Sequence, residues 1–125
     1  MAKSVQARRH EFTPKERKRI VERDGGQCIF CKMGYDTGNA SWMDLQIDGI
    51  MHYIPRSRGG LGIAENGALG CRYHHRLLDN GRYGSRDEML EMFKAYLQQH
   101  HSGWDEKKLM YSKWDFLEEV KCSGN

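Results

Sequence analysis

Two short pairs share one internal spacing, Cys28-Ile-Phe-Cys31 and Cys71-Arg-Tyr-His74. A gap of two residues lets both members of a pair turn toward one point. Three thiolates and an imidazole are the donor types a tetrahedral structural zinc takes. Such an ion would close residues 32–70 into one large loop and fix where its ends meet. That constraint weighs heavily in a chain of 125 residues, long enough for a single modest core. A site closed by four protein ligands has no position left for water, so this zinc serves folding. Pairing the cysteines as disulfides would leave His74 without a reason to follow Cys71 by three, and Cys122 is read as a free thiol.

Charge is distributed unevenly around this frame. Residues 1–23 hold eight Lys/Arg against three Glu, residues 51–83 hold five Arg against Glu65 and Asp79, and residues 84–125 hold six Lys/Arg against eight Asp/Glu. Positive charge thus gathers on the N-terminal arm and on the middle of the loop, as expected where a polyanion is met. The sequence has no apolar run of membrane-spanning length and no signal-peptide pattern, which leads to the expectation of a soluble, cytoplasmic protein without a membrane partner.

Residues 1–12 read as a disordered basic arm. Thr13-Pro14-Lys15-Glu16 reads as a capping box with Pro at the first helical position, which predicts a helix over about 14–22 with Ile20 and Val21 as its apolar contacts. Asp24-Gly25-Gly26 ends it as a turn. Trp42 to Ile54 predicts two short strands interrupted at Asp48-Gly49, and a helix is expected to begin near Cys71. Ser85-Arg86-Asp87-Glu88 opens a second capping box. Met89, Met92, Phe93, Tyr96 and Leu97 then recur at helical spacing, with His100 and His101 read as cations suited to the helix end. Trp104, Leu109, Trp114, Phe116 and Leu117 predict a short helix or wrap over the core, and Trp42, Trp104 and Trp114 are assigned to packing. The fold class is α+β: a core at 13–83 and a helical extension at 84–125, forming one domain.

The zinc leaves a second set unused. His52 lies three residues before Pro55, Gly59-Gly60 follow in the loop, then come Asn66 and His75, nine residues on and directly behind Cys71-x-x-His74. This ordered set resembles the HNH endonuclease family, whose shared unit is a ββα-metal, or His-Me, finger, over about residues 14–80. The Ile54-Pro-Arg-Ser-Arg-Gly-Gly-Leu-Gly loop is similar to that of small stand-alone members from bacteriophages and prophages.

That resemblance implies hydrolysis of DNA phosphodiester bonds with a divalent ion, magnesium or manganese, with nickel or zinc as further options. It implies His52 as general base, Asn66 as the residue that either fixes the loop or polarises the base, and His75 as a ligand of the catalytic metal. Adjacent helical side chains diverge by about 100°, so His74 goes to zinc and His75 to the second ion. Asp79, four residues on, is the expected co-ligand. Arg56 and Arg58 are assigned to phosphate, with Arg72 and Arg76 as further nucleic-acid contacts. The chain departs from the family at Met51, where many members carry a metal ligand. Three explanations stand: His75 and Asp79 suffice with water, the ion is weakly held, or Asp48 folds back. The alternative function is a zinc-stabilised nucleic-acid-binding module without catalysis. Expected partners are DNA and phage terminase or packaging proteins, for a monomer or weak homodimer.

Overall fold

The computed structural model describes residues 10–38, 40–80 and 85–110. Helix α1 spans Pro14–Asp24, two residues beyond the expected end, with Gly25 closing it in the left-handed region at φ 67°. Thr13 Oγ1 accepts the Glu16 N–H at 3.2 Å, but the return half of the capping box is not made. The Glu16 carboxylate instead accepts from the Ala64 N–H at 2.9 Å, tying α1 to the middle of the loop. Ile20 is buried as expected, whereas Val21 is exposed.

A single turn, α2 (Ile29–Lys32), carries the first cysteine pair. One strand, β1 (Ile47–His52), replaces the expected pair of strands before the loop. Its partner is β2 (Gly67–Cys71), antiparallel, with His52 opposite Gly67 and Ile47 opposite Cys71. Gly67-Ala-Leu-Gly-Cys71 contains two glycines and no β-branched residue, so it carries little strand signal of its own. Pairing with β1 and complete burial make it a strand. The register shifts between Ile47 and Gly49, leaving Asp48 as the extra residue of a bulge.

Helix α3 (Arg72–Asn80) follows β2 directly, and α4 (Ser85–His100) packs beside it. One core joins Met51, Ala68 and Cys71 to Phe30, Leu78, Met89, Phe93 and Leu97, and a smaller one joins Phe12, Ile20, Ala64 and Leu69. Alternation along β1 sends Met51 into the first and lays Ile50 against the second, so the hairpin is packed on both faces. Past α4, Leu109 is buried at the end of a 3₁₀ turn, its carbonyl accepting the Leu61 N–H at 2.8 Å. Trp104 packs on Tyr53 and donates to the Glu65 carbonyl at 2.8 Å. Trp42, by contrast, is 76% exposed and contributes no packing to the core. Trp114, Phe116, Leu117 and Cys122 lie outside the described residues.

Two expectations are corrected here. Asp24 is a buried anchor as well as a helix end: its carboxylate accepts from the Leu69 N–H at 2.8 Å, the Tyr96 hydroxyl at 2.5 Å and Arg23 Nε at 2.7 Å. It thereby joins α1, β2 and α4, and its charge is balanced by an adjacent guanidinium. The arm also ends earlier than expected, since His10 and Phe12 are buried. Among the described residues no helix is long and apolar enough to cross a membrane.

Candidate metal centre and adjoining cleft

The hairpin and α2 bring the two ligand pairs together. His74 Nδ1 lies 3.6 Å from Cys28 Sγ, 3.5 Å from Cys31 Sγ and 3.2 Å from Cys71 Sγ, and the Cys31 and Cys71 sulfurs are 3.7 Å apart. Tetrahedral bonds of about 2.3 Å to sulfur and about 2.0 Å to nitrogen separate sulfurs by about 3.8 Å and sulfur from nitrogen by about 3.5 Å. The four residues therefore form a Cys3His cluster of the right size for a metal such as zinc.

The surroundings prepare it for that ion. His74 Nε2 donates toward the carbonyls of Tyr35 at 2.7 Å and Asp36 at 3.0 Å. Carbonyls only accept, so Nε2 carries the proton and Nδ1 presents its lone pair to the sulfurs. These two carbonyls come from a loop that carries no metal-ligand motif, and the sequence reading missed them. Burial opposes ionisation of the Cys28 thiol, yet backbone N–H groups and the proton that a charged His74 carries on Nδ1 as well bring it down to about 7, and an ion on the cluster would displace that Nδ1 proton. Burial and the neighbouring sulfurs push Cys31 and Cys71 up. A cation on the cluster would relieve that repulsion and release protons.

His75, one residue on, faces the other way. With His52, Arg56, Ser57, Asp79 and Arg86 it lines a cavity of about 260 Å³. His52 sits at the end of β1, where burial and the positive charge of Arg56 hold its imidazole below the ordinary histidine value, against an opposing hydrogen bond to the His10 carbonyl. It is therefore mostly neutral near pH 7 and able to accept a proton.

His75 lies between two carboxylates. Nδ1 is 3.3 Å from Asp48 Oδ2, and Nε2 is 3.7 Å from Asp79 Oδ2. Nδ1 is buried and makes no hydrogen bond in this geometry. The two carboxylates stand at opposite edges of the ring, so an ion on either nitrogen would meet only one of them, a nitrogen–oxygen pair of a kind that magnesium, manganese, nickel or zinc accepts. Both carboxylates are substantially exposed, so either can rotate onto an ion. Met51 is wholly buried, and the bulge at Asp48 places a carboxylate beside His75.

Asn66 is also fully buried, away from the cleft lining. Its Oδ1 accepts the Ile54 N–H at 2.8 Å, and its Nδ2 donates to the carbonyls of Ile54 at 3.1 Å and Leu61 at 2.8 Å. Of the two roles open to it, the geometry is that of a clasp fixing the loop; it is not a group touching His52. Arg56 lines the cavity, while Arg58 and Arg72 are exposed outside its lining and Arg76 borders a separate cavity with Tyr35 and Tyr73. Arg86, which the sequence reading used only as part of a capping box, joins Arg56. His101 is corrected from a helix-end cation: Arg23 Nη1 donates to its Nε2 at 2.9 Å, which requires a neutral ring, and burial and Arg23 hold its pKa down. Comparison with protein-family models, with curated proteins and with solved structures found no significant match.

Proposed function

We propose that the chain is a metal-dependent DNA endonuclease of the HNH type, with β1, β2 and α3 serving as its ββα-metal core. The observation that carries this reading is the convergence of His52, His75, Asp79 and two guanidinium groups on one cleft beside a closed Cys3His cluster. Neutral His52 takes a proton from the water that attacks phosphorus in line. Arg56 and Arg86 hold phosphate oxygens, and Asn66 keeps the loop that carries Arg56 in register. His75 and Asp79 would hold a magnesium-type ion, which when bound supplies positive charge to the phosphate and the departing 3′-oxygen. The products are then a 5′-phosphate and a 3′-hydroxyl.

The second reading, a zinc-stabilised DNA-binding module, draws on the small number of protein donors around His75. Plasmid cleavage separates the two. Wild-type protein should nick or cut supercoiled DNA with magnesium, manganese, nickel or zinc, and His52→Ala should lose about 100-fold or more of that activity with zinc content and DNA binding retained. No cleavage by the wild type with any of these ions, or full cleavage by His52→Ala, would sink the nuclease reading. The basic cleft suits DNA as partner; action beside a phage terminase or packaging protein, in a host cytoplasm, is the setting in which such a nuclease would work.

A further inference from the structure

The segment just before α1 is fastened at several points around His52. His52 Nε2 lies 3.2 Å from the His10 carbonyl, and the Phe12 ring packs on the His52 ring with centroids 4.5 Å apart. The His10 ring is itself anchored, Nδ1 lying 2.6 Å from the Gly60 carbonyl. Arg17 Nε donates to the Phe12 carbonyl at 3.1 Å. Between these points the backbone of Glu11 and Phe12 runs so close to Gly62 that a Cβ there would overlap the Glu11 carbonyl, so only glycine admits the segment. A basic arm with no partner would have none of these attachments.

We propose that His10–Phe12 is a positioning strap for His52. A carbonyl only accepts, so the His10 contact requires a proton on Nε2 and leaves Nδ1 as the nitrogen able to take one. The Phe12 ring restricts rotation of the imidazole, and the His10–Gly60 bond couples the strap to the glycine loop that also carries Arg56 and is clasped by Asn66. Base, phosphate contact and loop are thus held by one short segment. Its catalytic consequence rests on the endonuclease reading, whereas the tautomer it imposes does not.

The test is ¹⁵N NMR of histidine-labelled, zinc-loaded full-length protein, with the His52 signals assigned by their loss in His52→Gln. The wild type should show His52 protonated on Nε2 alone. His10→Ala and deletion of residues 1–10 should shift it toward mixed tautomers and lower kcat about tenfold with KM little changed, while deletion of residues 1–7 should do neither. A wild-type His52 protonated on Nδ1, or an unchanged tautomer in folded protein lacking residues 1–10, overturns the strap. If that deletion does not fold, the wild-type tautomer and His10→Ala decide the matter. Expected tautomers in a protein that cuts no DNA would leave the strap standing and remove the nuclease.

Discussion

Replacing Asn66 with Ala separates a loop clasp from a catalytic contact by magnitude. The substitution deletes one acceptor and one doubly used donor inside a fully buried site. The Ile54 N–H and C=O both lose their partner there, and an orphaned buried polar group costs about 1–3 kcal/mol. The Leu61 carbonyl bond is only partly buried, so water can replace that partner. The expected loss is therefore about 2–6 kcal/mol, a large share of the roughly 5–15 kcal/mol that holds a domain together. Asn66→Asp should recover part of it, since its carboxylate still accepts from Ile54 N–H while facing two carbonyls it cannot donate to. The assay is urea unfolding of zinc-loaded protein, comparing midpoints at equal slope. A loss under about 1 kcal/mol together with abolished cleavage would refute the clasp and make Asn66 a participant in the chemistry.

The metal cluster and the buried histidines give two more tests. Chelating the ion, or substituting Cys71→Ser, should unfold the chain cooperatively by circular dichroism, because the cluster closes the loop that contains β1 and its pairing with β2; native far-UV and near-UV spectra after complete zinc removal would show that the two cores suffice alone. His52 and His101 both have folded-state values pushed below the ordinary one, chiefly by burial. In such a case the unfolded chain takes up protons first, so stability is complete above about pH 6.5 and falls as the pH drops from there through the folded values. His101→Gln should flatten that slope in urea midpoints measured between pH 7.5 and 5.5, and an identical slope would remove His101 as a contributor.

Local signals in the sequence were enough for helices α1 and α4 and for the four residues of the Cys3His cluster. The Cys28/Cys31 and Cys71/His74 pairs are read from spacing, because two residues of separation bring both donors of each pair to one ion. Helices α1 and α4 announce themselves by capping residues and by apolar side chains at 3.6-residue spacing. The divergence of His74 and His75 follows from helix geometry, and the cavity lining includes His75 but not His74.

What depended on chain segments meeting at a distance was not legible. Strand β2 has glycines where β-formers would advertise a strand, and it exists because β1 supplies its partner. Asp24 reads as a turn residue until Leu69 and Tyr96, 45 and 72 positions away, donate to it. The bulge that turns Asp48 toward His75, the burial of Met51 and the entry of Arg86 into the cleft are all set by register and packing.

By itself, then, the sequence determined which residues form the Cys3His cluster, because donor type and short spacing are written in the chain. Only the tertiary structure decided which partners the histidines and Asn66 meet: the carbonyls that orient His74 and His52, the backbone Asn66 clasps, and the carboxylate at each edge of His75. Those choices are hydrogen bonds and close approaches between segments far apart in sequence, and no local pattern encodes which carbonyl will arrive.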